Sequence, residues 1–572
     1  MNADHLREAY TLKKPVCRRS DRARCSQLVS TTTDPIATVT RSEHYHIVPV
    51  DSTDLCHGYR NGTCFTLEQL VQTDLLSGGD NLTLSFLPGD HVLTEQLLIR
   101  NFRHVHFTSR NKSTTVIRFY SNGTIRFVNI IELSIEGLDF IGVNVGSQNS
   151  HQGLTVDSAH DVYINGCYYT NFFVLLNQVE NHINTQTATI ENTFFVNNTA
   201  RALHIEADDV YITNSGFTRN GGGAVYIESN STLISNTEFN YNSAVTGGAV
   251  KAVSGTVVIT WCGFTNNEAF RYGGAIYVYS NNVSISGSIL TNNRADYGGA
   301  IDVTSGSLSI SDSELTNNSA DWNGGAIDVT SGSLSISDSI LTNNRADLGG
   351  AIDVTSSSLS IFDSELTNNR ADWSGGAIVV YSSSVSISDS TLTNNRADFD
   401  GAIDVTSSSL SISDSEPTNN RANRSGGAIV VYSSSVSISD STLTNNRADF
   451  GGAIDVTSSN LSVFESTLTN NRADGSGGAI HGNLGSTMSI CKSTLKNNTA
   501  TTFGGGIFLR DSTLFVNEPI KIYHNTALNG GGVYVYSSRI EFQSVLPMCL
   551  GIQIHKVRLL ATLLRMVEAF MQ

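Results

Sequence analysis

Short runs of strict alternation between apolar and polar positions recur along this chain from about residue 100 onward. Leu133-Ser-Ile135, Val162-Tyr-Ile164, Ala188-Thr-Ile190, Val210-Tyr-Ile212, Val257-Val-Ile259 and Val283-Ser-Ile285 occupy equivalent places. Alternation with period two places the apolar residues on one face of a strand. Between Gly325 and Gly349, Ile327 and Val329 share a face, and so do Leu334 and Ile336 after a Thr-Ser-Gly-Ser turn. Leu341 opens a third strand, and Asn343-Asn344 turns a corner. Three short strands per repeat are expected.

The repeat has a fixed length. A small residue follows the turn glycines, a pair everywhere except Asp400-Gly401, at Ala224, Ala249, Ala275, Ala300, Ala326, Ala351, Ala377, Ala402, Ala428, Ala453, Ala479, Gly506 and Gly532, at spacings of 25 and 26 residues with one of 27. Such a period marks a solenoid, in which each coil buries its apolar face only against its neighbours. The fold expected is all-β: a right-handed parallel β-helix solenoid, with each turn of the coil serving as the crossover between parallel strands. Coils stacked about 4.8 Å apart, roughly 17 of them, make a rod about 80 Å long. Blocks beginning at Ala300, Ala351, Ala402 and Ala453 are near-copies every 51 residues, a coil pair whose extra residue precedes the glycines. Tandem duplication explains them.

Two ladders follow from the register. Leu290, Leu315, Leu341, Leu366, Leu392, Leu443 and Leu468 form an inner row, interrupted by Pro417, where a weak point is expected. Asn293, Asn318, Asn344, Asn369, Asn395, Asn420, Asn446 and Asn471 form a second row, whose amides are expected to bond from coil to coil.

The ends differ from the array. Residues 1–55 show no periodicity and read as irregular. Residues 56–100 read as an N-terminal cap, with a helix over Thr66–Leu76 started by a Thr66/Gln69 capping box and a strand carrying Leu82, Leu84 and Phe86. The β-helix is assigned to 101–540 and an atypical tail to 541–572. Back-translated, Arg565 to Met571 is compatible with a shifted frame reading Asn-Gly-Gly-Gly-Ile-Tyr, the coil motif of Asn529 to Gly532. A frame-shifted end with further coils downstream is the expectation.

Charge narrows the function. The net charge of −17 disfavours binding to nucleic acid and to anionic lipid. The basic run Arg18, Arg19, Arg22 and Arg24 reads as a solvated tail. No stretch of about 18 apolar residues encodes a membrane span, and residues 1–30 lack the apolar core of a signal peptide. Cys56 and Cys64 flank a turn-like stretch and are a plausible disulfide; Cys167, Cys262 and Cys491 fall inside coils, where a thiol acts as a small apolar residue.

Sequons occur at Asn61, Asn81, Asn111, Asn122, Asn197, Asn230, Asn282, Asn317, Asn423, Asn460 and Asn497. They favour a eukaryotic secretory protein, and Asn61 to Asn122, outside the repeat array, count most. Three aspartate rows recur. Asp302, Asp328, Asp353, Asp404 and Asp455 lie beside the core strand. Asp296, Asp321, Asp347, Asp372, Asp398, Asp449 and Asp474 precede the glycines, usually after an arginine. Asp312, Asp338, Asp363, Asp389, Asp414 and Asp440 lie in a turn and are weak calcium candidates. Exposure, nearby arginines and interruption by Val379 and Val430 are expected to relieve the repulsion without metal, so no cofactor is assigned.

Phe217 to Asn220 before Gly222-Gly-Ala-Val225, Phe239 to Asn242 before Gly247-Gly-Ala-Val250, and Phe264 to Asn267 before Gly273-Gly-Ala-Ile276 resemble the repeat of chlamydial polymorphic outer membrane proteins. The resemblance covers about 200–535. It implies a right-handed β-helix of the pectin-lyase-like class, displayed at a cell surface for adhesion. It also implies a C-terminal autotransporter barrel, for which residues 538–572 are too few. Pectin-lyase-like folds include polysaccharide lyases and hydrolases, which need one unique constellation of carboxylates with an arginine. Near-identical coils offer rows instead, and the Gly-His-Gly and Arg-Ile-Lys elements of polygalacturonases are absent. The sequence thus points to a non-enzymatic, extracellular or cell-surface repeat protein binding a protein or glycan ligand. The alternatives are a carbohydrate-active enzyme, with its cluster expected among the irregular coils of 100–250, and a structural spacer.

Overall fold

The computed structural model describes residues 42–49, 63–73, 76–109, 115–120, 122–143, 153–172, 174–176, 185–253, 255–279, 282–517 and 520–542. All lie in the second of two units, 41–572. Strands pair in parallel from coil to coil throughout, giving a solenoid of about 17 coils. The expected strands at Ile327–Thr330, Ser333–Ser337 and Ile340–Thr342 are present. A fourth, Arg345–Leu348, adds a third face that the alternation did not reveal. The first face carries two strands per coil. In earlier coils they are one continuous strand, Leu203–Thr213 and then Val225–Ser235. In later coils a serine with positive φ, such as Ser331 at 57°, bends the chain between them.

The core is a set of one-residue-per-coil columns. Phe195, Phe217, Phe239 and Phe264 stack face to face at 4.8, 5.0 and 4.8 Å, within 6° of parallel. Their column continues as Leu290, Leu315 and Leu341, in direct register. At Pro417 the pairing to the next coil shrinks to Thr418 with Thr444, as a missing N–H dictates.

The asparagine column is buried and saturated. Asn344 Nδ2 donates to Leu315 O at 2.9 Å and to Asn369 Oδ1 at 3.1 Å, while Asn344 Oδ1 accepts from the backbone and side chain of Asn318. A serine column does the same at the next corner. The Ser313 N–H donates to Ser339 Oγ, and each hydroxyl bonds the carbonyl two residues back. Cys167 and Cys262 occupy this column in earlier coils, their N–H groups bonded to Thr193 and Ser288. Burial pushes their thiols up, to about 12 and about 11.

The N-terminal end departs from expectation in three ways. Ser42–Ile47, inside the segment read as irregular, is a strand paired in parallel with Thr63–Phe65 and Ser77–Phe86. The helix spans only Leu67–Val71, although its capping box is formed. Ser77–Phe86 already pairs with Gln96–Ser109, so the solenoid begins before residue 101. Cys64 is disulfide-bonded. Its expected partner Cys56 lies outside the described residues, as do the sequons Asn61 and Asn111 and the tail from 543.

Candidate functional site

From His204 the outward row of the first face runs in register through Tyr226, Lys251, Tyr277, Asp302, Asp328, Asp353 and Val379. Strand alternation predicts exposure for such a row. The glycine turns instead fold over it. A Cβ on Gly375, whose φ is +66°, would come within 2.3 Å of Val379 Cγ2, and one on Gly426 within 2.6 Å of Val430 Cγ2. The expectation that the aspartates of this row are exposed is therefore corrected: Asp302, Asp328, Asp353, Asp404 and Asp455 are all at most 6% exposed.

Around His204 four unlike coils bring together a cluster found in none of the copies. The Arg201 guanidinium lies 4.8 Å from the centre of the Tyr226 ring. Lys251 Nζ lies between the Tyr226 and Tyr277 rings, at 5.8 and 5.7 Å. His204 packs edge-on against Tyr226 at 4.5 Å. Its Nε2 is 3.2 Å from Glu206 Oε1 but outside hydrogen-bond geometry, and is left without a partner. Among the described residues neither Arg201 nor Lys251 has a carboxylate within ion-pair distance, unlike most arginines of the array. Burial, then the Arg201 charge, pushes His204 down to about 4 and lowers Lys251. Burial, then Glu228, raises Glu206. Desolvated, mutually perturbed groups gathered on one face mark a candidate site. The sequence reading missed all of these residues, which come from separate coils and meet only through the register.

The third face carries the row of aspartates that precede the glycines. Arg294 pairs with Asp321 at 2.9 Å, Arg345 with Asp372 at 2.6 Å and Arg447 with Asp474 at 2.6 Å, each bridging adjacent coils. Beside them the extra residue of the 26-residue coil forms a β-bulge, marked by register shifts around Asn323 and Ser374. Trp322 and Trp373 occupy those bulges and stand 55% and 61% exposed. Phe399, 5.8 Å from Trp373, and Phe450 continue an aromatic edge along the rod.

The family model of the right-handed β-helix region matches residues 201–371, 299–472 and 364–545, together more than half of the chain. The chain belongs to the right-handed β-helix family. No curated protein matches it. Among solved structures, a variant of a PL6 family alginate lyase aligns over 88% of this chain and 98% of that one, at 9% identity and a TM-score of 0.16.

The other residues singled out in this β-helix fall in ordinary places. Asp312, Asp338, Asp363, Asp389, Asp414 and Asp440 are exposed turn residues with positive φ, one per coil. Asn236, Trp261, Glu465 and Lys492 take the same left-handed turn in other coils, so the turn does not require an aspartate, although Asp and Asn tolerate its backbone best. Among the described residues no group of three or more His, Cys, Asp or Glu side chains could hold a metal ion, and no helix is long and apolar enough to cross a membrane. Asn81, Asn122, Asn197 and Asn230 are exposed, as are the described sequons of the array. In the Asn-Asn pairs of the ladder the exposed first residue takes positive φ, as Asn317 does, while the second is buried.

Proposed function

We propose that this β-helix is a non-enzymatic recognition rod of the cell surface or extracellular space, binding glycans or glycoproteins along its third face. The observation that carries the reading is the edge of bulged Trp322 and Trp373 beside coil-bridging Arg–Asp pairs. Aromatic faces stack on the apolar faces of sugar rings, and fixed planar polar pairs serve their hydroxyls. Weak contacts repeated on one rigid lattice sum to avidity. The resemblance to polymorphic outer membrane protein repeats supports surface adhesion. The exposure of every described sequon supports passage through a secretory pathway. The test is binding of the immobilised chain to a panel of extracellular glycans and glycoproteins. Binding that weakens sharply when the chain is cut to few coils fits the reading; no binding to any member contradicts it.

A second reading, a carbohydrate-active β-helix enzyme, is favoured by the Arg201–His204–Lys251 cluster with Glu206 and Glu228 beside it, a constellation that the repeated coils do not contain. Reducing ends or unsaturated products released from a polysaccharide, and lost in Lys251→Ala, would establish it. A third reading, a structural spacer, has no observation of its own.

A further inference from the structure

The buried acidic row supports an inference independent of the ligand. Asp302, Asp328 and Asp353 are register partners in three successive coils, with backbones about 4.8 Å apart. They sit under the glycine turns at 1–6% exposure. Among the described residues no lysine or arginine pairs with any of them. Their donors are long: Thr304 Oγ1 to Asp302 at 3.3 Å and Thr355 Oγ1 to Asp353 at 3.4 Å. Asp353 Oδ2 is buried without a partner. The same slot accepts Val379 in the next coil, fully buried, so nothing in the packing demands a carboxylate. Three stacked anions without counter-charge are far costlier to bury than three neutral acids.

We propose that Asp302, Asp328 and Asp353 are a proton-holding spine, which makes the rod a pH-responsive element that is tightest in mild acid and loosens around these coils as the medium turns alkaline. The groups facing the spine are Tyr277 at one end, Tyr381 beside it and Asp404 beyond Val379. Asp400, Tyr432 and Arg424 lie on the turn side near Asp404; Arg424 is the cation there and acts on Asp400. Burial, reinforced by neighbouring aspartates, holds the carboxyls of Asp302 and Asp353 well above the usual range. Asp404, across the valine, is pushed up to about 7 by burial and Asp400. A raised carboxyl binds its proton more tightly in the folded state. Its stabilisation is complete below the ordinary carboxyl range and is lost as pH rises through the folded value.

The test compares urea unfolding of the full chain between about pH 5 and about pH 8 with that of D302V/D328V/D353V, which installs the side chain native to positions 379 and 430. D302N/D328N/D353N serves if the valine variant misfolds. In the native chain the folded-to-unfolded ratio should fall by up to about tenfold per pH unit for each proton released. In either variant that component should vanish, with a gain in stability confined to the alkaline side. An unchanged pH slope in the variants overturns the proposal. So does potassium or calcium restoring the native chain at pH 8, which would make the row a cation holder.

Discussion

Asn344 Nδ2 and Asn369 Oδ1 meet at 3.1 Å in a fully buried column, and the same Asn369 oxygen accepts the Asn344 N–H at 2.9 Å. One amide thus satisfies donors and acceptors of both neighbouring coils. Asn344→Ala would strand Leu315 O and two donors of Asn318 with no access to water. The expected loss is about 2–4 kcal/mol in denaturant unfolding. A cost near zero would mean that the column is not saturated as described.

Pro417 replaces a leucine of the inner column and leaves the strand pairing to the next coil at one residue pair. Pro417→Leu restores the N–H and the apolar contact. A gain of about 1–2 kcal/mol is expected from one recovered hydrogen bond and better packing. An unchanged or lower unfolding midpoint would contradict the register.

Phe239 lies 4.8 Å from Phe264 and 2° from parallel. Leucine fills the same column from Leu290 onward, so Phe239→Leu should cost under about 1.5 kcal/mol and Phe239→Ala about 3–5 kcal/mol. Equal costs for the two would show that ring stacking, and not column volume, governs the site.

His204 is held down to about 4, first by burial and then by Arg201. Because its folded value is depressed, it contributes stability above the ordinary imidazole range that is lost as pH falls toward the folded value. Arg201→Ala should move the imidazole titration upward, followed by NMR, while burial keeps it below an exposed histidine. Titration of native His204 at the ordinary value would remove the cluster from consideration.

The period carried most of the fold. Columns that recur at fixed spacing, such as Leu315 and Leu341 or Asn318 and Asn344, are legible because each residue type is unusual for its position. The serine column of Ser313 and Ser339 was hidden among other serines that alternate on the surface. The acidic row was misread because strand alternation places Asp328 outward, and only the path of the glycine turn encloses it. Arg201, Tyr226 and Lys251 were invisible as a group: their coils are not copies, and nothing but register joins them. The bulge that exposes Trp373 was present in the sequence as one extra residue per coil pair, without a sign that it would face solvent.

The recognition reading is tested most directly by equilibrium binding of a glycan or glycoprotein selected by the native chain to two variants that melt normally, W322A/W373A and R201A/K251A. The account predicts that W322A/W373A loses at least tenfold in affinity, that R201A/K251A binds as the native chain does, and that the bound glycan is recovered intact. Loss of binding in R201A/K251A with W322A/W373A unaffected, or a glycan recovered cleaved, would contradict it and place the function at the Arg201–Lys251 cluster.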